Sequence, residues 1–267
     1  MCVLMLAAER RHAILRALNA GGAVRVGDLA AELDVSEMTV RRDLDTLDAQ
    51  NLLRKVHGGA VSRHNRGEEP WSSEKAGQQR AAKEAIAALA ADSVEDGMTI
   101  AISAGTTTTE LARRLRHRSS ITVVTNSISV FEVLTDPGAD AADAPQVYLS
   151  GGVRTPSDAL VGPIADAAIA SFRVDATYLG VHGFDPQAGL TTPNIAEAQT
   201  NRTLIGIGAQ LFVVADHTKY REVGTNVFSP MRRVDTLIVD DGLAIADRGI
   251  IEEHVGHLSV ATVMRQP

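Results

Sequence analysis

From residue 99 onward the chain alternates short apolar runs with stretches of helical periodicity, and no other feature narrows its fold so far. Strands are expected at 99–103, 121–125, 147–150, 176–181, 211–215, 236–240 and 259–263, and helices at about 107–115, 128–134, 164–170, 195–209 and 249–254. Strands that alternate with helices pair in parallel, because each connection must cross a face of the sheet. The fold class is therefore α/β, with a Rossmann-like sheet covered by helices on both sides. Such sheets bind ligands beyond the carboxyl ends of their strands. Aromatic residues make up only 3% of the chain, so the core must be built from Ala, Val, Leu and Ile.

The residues before this alternation read differently. Ile14, Leu15 and Leu18 mark an amphipathic first helix that Gly21-Gly22 stops, Val24-Arg25-Val26 is a short extended piece, and 28–33 is a second, short helix. A third helix opens at Ser36, a good N-cap, and runs to about Asn51. Val40, Leu44 and Leu47 repeat on its buried face, which leaves Met38, Arg42 and Thr46 opposite and Thr39 and Arg41 on the flanks. Arg binds guanine edges in bidentate fashion, and Ser or Thr holds phosphates or base edges, so this helix suits a major groove. Strands at 52–56 and 59–61 follow, bent at His57-Gly58. Three helices and a basic hairpin make a winged helix-turn-helix. The DNA-binding residues are then Ser36, Met38, Thr39, Arg41 and Arg42 on the helix, with Arg54, Lys55 and His57 on the wing.

Charge divides the same way. The chain carries −7 overall, but residues 1–66 hold ten Lys/Arg against eight Asp/Glu, while the remainder is strongly acidic. A basic head on an acidic body fits a DNA reader with a large second domain. The expected organisation is a winged helix-turn-helix over 1–62, a polar linker over 63–80 containing Pro70 and Trp71, and an α/β effector-sensing and oligomerisation domain over 81–267. The single cysteine, Cys2, excludes an internal disulfide and agrees with a reducing cytosol. With no run of membrane-spanning length, a soluble cytoplasmic protein is expected, with Met5 an alternative translation start.

Candidate ligand residues gather at the carboxyl ends of the expected strands. Gly105-Thr106-Thr107-Thr108 opens a helix after the first strand, where unpaired backbone N–H groups suit an anion. Asn126 closes the second strand, and Gly152 and Arg154 follow the third. Gly183 begins a polar loop with Phe184, Asp185 and Gly189–Thr192, and Asp216 and Lys219 end the fifth strand. The eight histidines form no convincing metal set; His254 and His257 lack a third ligand nearby. No cofactor is expected. A rival reading is an isomerase-like enzyme with an appended helix-turn-helix, in which Asp185, Asp216 and Lys219 serve as acid and base.

The blocks Glu9–Leu15, Val35–Leu44 and Arg54–Ala60, in this order and spacing, resemble the N-terminal signature of DeoR-family bacterial transcriptional regulators. The later blocks, including Leu160-Val161-Gly162-Pro163, resemble the family's effector domain, which is similar in fold to ribose-5-phosphate isomerases and CoA-transferases. The resemblance implies a regulator, commonly a repressor, of a carbohydrate or related operon that senses a phosphorylated sugar or related metabolite. Two departures stand out. Ser103-Ala104 replaces the family's frequent Asp-Ser, and Gln199 and Asn201 stand where it often has Glu and Lys. The phosphate cradle is retained, and the difference falls on the part that reads the rest of the ligand.

One short reading helix covers little duplex, so a homodimer or higher homo-oligomer is expected, paired through the second domain on half-sites about 10 bp apart or a multiple of that. The effector is expected on the Gly105–Thr108 turn, helped by Arg154 or Lys219.

Overall fold

A computed structural model describes residues 6–21, 23–50, 52–56, 58–61, 72, 76–136 and 143–264. The chain divides into two compact units, Met1–Glu68 and Glu69–Pro267. Much of the expected linker, including Trp71, and the wing residue His57 lie outside the described residues.

The first unit runs α1 (Ala7–Gly21), β1 (Ala23–Arg25), α2 (Val26–Glu32), α3 (Glu37–Ala49), β2 (Arg54–Val56) and β3 (Gly59–Val61). The expected faces are the buried ones: Ile14, Leu18, Leu29, Val40, Leu44 and Leu47 are at most 2% exposed. The sheet has order β1-β3-β2 and is antiparallel, with Val24 and Lys55 both opposite Ala60. Two boundaries differ from the sequence reading. Val26 does not extend β1 but starts α2, buried, with its N–H donated to the Gly58 carbonyl at 2.9 Å. Leu52 and Leu53 are not strand residues; Leu53 is fully buried beneath the bend that enters β2.

In the second unit the expected strands are β4 (Thr99–Ile102), β5 (Thr122–Thr125), β6 (Gln146–Leu149), β9 (Val174–Gly180), β12 (Gly208–Val214), β14 (Thr236–Asp240) and β15 (His257–Ala261). They form one parallel sheet of order β15-β14-β12-β9-β4-β5-β6. The chain starts at β4, builds outward through β5 to β6, then returns to β9 on the other side of β4. The junction of β4 and β9 is thus a topological switch point, where neighbouring connections leave to opposite faces and open a crevice.

The helices are α4 (Arg80–Ala91), α5 (Thr106–Leu115), α6 (Ile128–Leu134), α7 (Pro163–Ala170), α8 (Ile195–Ile207) and α9 (Ile245–Glu252). Alternation along the strands sorts them onto two faces. Ile100, Ile102 and Tyr178 pack with Ile86 of α4, Leu111 of α5 and Val130 of α6. Ala101 and Leu179 pack with Ile169 of α7, Leu204 of α8 and Ile251 of α9. The last helix begins four residues before its expected start, with Gly249 inside it.

Short antiparallel pieces complete the unit: β7 (Val153–Arg154) with β8 (Leu160–Val161), and β10 (Gly183–Asp185) with β11 (Gly189–Thr192) and β13 (Asn226–Ser229). The stretch 183–192, expected as a polar loop, is therefore a hairpin. Phe184 and Leu190, opposite one another, are fully buried, and Asp185 holds the turn by accepting the N–H groups of Gln187 and Ala188 at 2.9 and 2.8 Å. Among the described residues, no helix is long and apolar enough to cross a membrane, and no group of three His, Cys, Asp or Glu is placed to hold a metal ion.

Candidate nucleic-acid interface and ligand cavity

α3 owes its start to a side-chain cap. Ser36 Oγ accepts the Thr39 N–H at 3.2 Å and lies 2.9 Å from the Thr39 hydroxyl. Ser36 is exposed and Thr39 half-buried, and together they fix where the first turn of the helix begins. Met38 and Arg42 are exposed on the face opposite Val40, Leu44 and Leu47, and Arg41 is exposed on its flank. Arg41 is held by Glu37, one turn earlier, at 2.8 Å. Arg42 has no ion-pair partner among the described residues. On the wing, Lys55 Nζ pairs with Asp45 of α3, and its N–H reaches Asp48 at 3.4 Å. Arg54 lies in β2.

Sequence reasoning missed what anchors this helix. Asp43, three residues after Val40, is 6% exposed, and its carboxylate accepts Arg10 Nε of α1 at 2.5 Å, with Arg11 Nε at 4.0 Å. A buried charge pair at the α1–α3 contact ties the exposed arginines to the rest of the unit. The signal was available: Asp43 falls on the same side as Val40, Leu44 and Leu47, which is unusual for an acid without a partner.

In the second unit, a cavity of about 80 Å³ opens at the carboxyl ends of β4, β5, β9 and β12. That is room for roughly five to eight water-sized groups, about the size of a small polar metabolite. Gly105, Thr106 and Thr107 form one wall. Gly105 precedes α5 at φ +152°, a backbone conformation that side chains disfavour, and no side chain caps the start of the helix, which borders the opening. The four threonine hydroxyls do not act alike. Those of Thr108 and Thr109 both donate to the Gly105 carbonyl, at 2.8 and 2.7 Å, and lock the turn. Thr108 is fully buried and is not a wall residue, whereas Thr106 and Thr107 are.

Asn126 also lines the cavity, but its side chain is committed: Oδ1 accepts the Ala104 N–H at 3.2 Å and Nδ2 donates to the Leu160 carbonyl at 3.1 Å. Ser103, one of the departures, is buried and accepts the Gly180 N–H at 2.9 Å, which joins β4 to β9 at the switch point. Asp216 and Lys219 flank the 3₁₀ turn His217–Lys219. Asp216 caps it, accepting the Thr218 N–H at 3.1 Å and the Thr218 hydroxyl. Lys219 borders the cavity with no ion-pair partner among the described residues.

Three expected ligand residues fall elsewhere. Arg154 is exposed on β7 and bound to Asp158, with Nε at 2.8 Å and Nη2 at 2.5 Å, so it is not a wall of the cavity. Gly152 and Gly183 are glycines for packing. A Cβ would come within 2.6 Å of the Val161 carbonyl at the first and 2.0 Å of the Glu222 carbonyl at the second. In their place the cavity has Lys83 of α4 and Glu197 of α8, neither named as a ligand residue from sequence, and Asn201 of α8, one of the departures from the family pattern. Lys83 is 3% exposed and Glu197 8%. Buried charges on helices are the detectable sign, but only once the helix faces are known.

Beside the cavity, His217 and Asp240 form a tight pair. Asp240 accepts His217 Nδ1 and the His217 N–H, each at 2.7 Å, and the Gly242 N–H at 3.1 Å. The hydrogen bond to Asp240 raises the imidazole pKa above its ordinary value against the opposing effect of burial, and the charges of Asp240, Asp216 and Asp241 add to the rise. Burial pushes Asp240 up, but the hydrogen bonds and charge of His217, with the Gly242 N–H, bring it below the usual carboxylate range.

Known proteins carry both halves of this arrangement. Residues 10–66 match the family model described as the DeoR-like helix-turn-helix domain, and residues 78–241 that of the DeoR C terminal sensor domain. The HTH-type transcriptional regulator GlpR of Haloferax volcanii is 33% identical over 249 residues, covering 93% of this chain and 95% of that protein. The glycerol-3-phosphate regulon repressor of Escherichia coli K12 is 28% identical over 247 residues, 92% of this chain and 96% of that protein. Ribose 5-phosphate isomerase A of Methanocaldococcus jannaschii aligns at 14% identity and a TM-score of 0.39, over 52% of this chain and 54% of that one. With residues 10–66 and 78–241 matched to the two halves of one family and relatives aligned over more than nine-tenths of the chain, the chain belongs to the DeoR family and is a DNA-binding transcriptional regulator.

Proposed function

We propose that the chain represses a carbohydrate or related metabolic operon in the cytoplasm and releases its operator when a phosphorylated, sugar-like metabolite fills the cavity of the second unit. The observation that carries this reading is the convergence of a helix N-terminus without a side-chain cap, at Gly105–Thr107, with Lys219 on one cavity. An anion there gains backbone donors and a cation together. The name of the glycerol-3-phosphate regulon repressor agrees with such a ligand. Met38, Arg41 and Arg42 read bases, while Ser36, Thr39, Arg54, Lys55 and His57 hold phosphates. Residues 1–62 are the reader, 63–80 the linker and 81–267 the sensor.

The sensor is not an enzyme in this reading. Of the acids an isomerase would use, Asp185 is spent on the β10–β11 turn and Asp216 on capping the 3₁₀ turn. The protein works as a homo-oligomer, two heads on half-sites about 10 bp apart or a multiple of that. For the ligand to free DNA it must favour the DNA-free arrangement, since equal affinity for both would shift nothing.

The test is electrophoretic mobility shift with the DNA upstream of the chain's own gene, alongside a thermal-unfolding screen of phosphorylated sugars. A ligand at one hundred times its dissociation constant adds about 2.7 kcal/mol to stability. The expected result is a retarded band that the stabilising compound abolishes. Retardation that no phosphorylated compound alters, with none stabilising the protein, would overturn the reading.

A further inference from the structure

The cavity has a second wall with a chemistry opposite to that of the Gly105 turn. Glu197 sits in the first turn of α8, set there by Asn194, whose Oδ1 caps the helix and accepts the Ala196 and Glu197 N–H groups at 2.9 and 3.2 Å. Its carboxylate is buried and collects hydroxyls from separate segments. Oε1 accepts Thr155 at 2.5 Å and also Ser157, both from the β7–β8 connection, and Oε2 accepts Thr192 at the end of β11 at 3.4 Å. No lysine, arginine or histidine pairs with Glu197 among the described residues. Ser157, Thr192, Glu197 and Asn201 all border the cavity.

A carboxylate offers about four acceptor positions. Oε1 has two donors and Oε2 one long bond, so Oε2 keeps acceptor capacity, and the residue borders the cavity. A buried carboxylate whose bonded partners are all hydroxyls gains from a ligand that brings donors and loses to one that brings another anion against it. Asp216, the other acid of the cavity, has Oδ1 taken by Thr218. The cavity's other charges are Lys83 of α4 and, on one 3₁₀ turn, Asp216 and Lys219; Glu197 is the acid set apart from that turn and held by hydroxyls alone.

We infer that Glu197 is the specificity-determining residue of the sensor, and that it selects ligands with one phosphate and a hydroxyl- or amine-bearing remainder while rejecting those with a second anion. The inference rests on the phosphate-sensing reading above and names the ligand class. The second anion would be driven against a fixed carboxylate in a medium of low effective dielectric, where like charges repel far more than in water.

The experiment compares two matched pairs by thermal unfolding and titration calorimetry on the full chain: fructose 6-phosphate with fructose 1,6-bisphosphate, and glucose 6-phosphate with glucose 1,6-bisphosphate. Inorganic phosphate is the donor-poor probe. In wild type at least one monophosphate should exceed both its bisphosphate and inorganic phosphate in affinity by on the order of tenfold. Glu197→Gln should erase most of the gap between the pair. Glu197→Asp keeps the charge but retracts it, so monophosphate affinity should fall several-fold while the bisphosphate stays excluded. If Glu197→Gln does not fold, Glu197→Asp decides, and unaltered binding of both pairs would refute the inference. An unchanged ratio in folded Glu197→Gln, or a wild type that prefers the bisphosphate, overturns it and leaves phosphate sensing intact. If none of the five probes binds wild type at millimolar concentration, phosphate sensing itself falls, and the inference with it.

Discussion

Removing the Asp43 carboxylate should cost the reading head most of its stability while leaving the sensor untouched. Asp43 is 9% exposed in its side chain and Arg10 12%, so Asp43→Ala takes the carboxylate from a guanidinium that has little access to water. Breaking a buried pair from one side costs about 3–5 kcal/mol. A unit the size of Met1–Glu68 has a total stability of roughly 3–10 kcal/mol at typical values per residue, so the loss is comparable to the whole. Calorimetry of the full chain should show the first unit's transition lowered or lost with the second unit's unchanged, and mobility shift should show operator binding falling with it. Asp43→Leu combined with Arg10→Met removes both charges and should recover much of the loss, since an apolar replacement of a buried pair is often neutral. If Asp43→Ala binds operator within about twofold of wild type and keeps both transitions, the pair is not what holds α3 against α1.

Three further outcomes are expected. Arg42→Ala should weaken operator binding by roughly 1–3 kcal/mol and relax specificity at one base pair, whereas Arg41→Ala should cost less because Glu37 must release Arg41 before it reaches DNA; footprinting on single-base operator variants separates them. Lys219→Ala should reduce the affinity of the identified effector by about 1.5–3 kcal/mol, and Thr107→Ala by less because the backbone N–H groups stay; calorimetry that finds Lys219→Ala equal to wild type would place the anion elsewhere. The His217–Asp240 pair should make the sensor's unfolding temperature pH-dependent on both sides. The raised imidazole contributes fully below its unfolded value of 6.5 and loses that as pH climbs through its higher folded value, while Asp240 contributes above its unfolded value of 3.8 and loses that as pH falls through its lower one. A His217→Asn chain whose unfolding temperature keeps the wild-type alkaline slope would rule this pair out as its source.

Much of this architecture was legible because it rests on periodicity. Val40, Leu44 and Leu47 fixed the orientation of α3 and with it the exposure of Met38 and Arg42. The alternation after Thr99 gave the strands of the parallel sheet, and their shared carboxyl edge led to Gly105, Asn126, Asp216 and Lys219. What stayed hidden depends on partners distant in sequence. Asp43 meets Arg10 across 33 residues and Glu197 meets Thr155 across 42, and neither separation has a local signature. Arg154 misled for the opposite reason, since its partner Asp158 is only four residues away but in a turn, where spacing does not reveal pairing. The β10–β11 hairpin was obscured by Thr191 and Thr192, polar residues that are buried because the Thr191 hydroxyl reaches the Gly183 carbonyl and the Gly224 N–H.

The strand order carries a consequence for the chain as it leaves the ribosome. The cavity needs β4 and β5, made early, alongside β9 and β12, made late, and its last wall residue is Lys219. The head is complete at about Glu68, 151 residues sooner. At typical synthesis rates of about 5–20 residues per second that interval lasts roughly 8–30 s. Throughout it, the nascent polypeptide has everything required to fold its DNA reader and cannot yet form the pocket that would instruct it. A translation product interrupted in this stretch is a reader without a sensor, deaf to metabolite whatever its affinity for DNA.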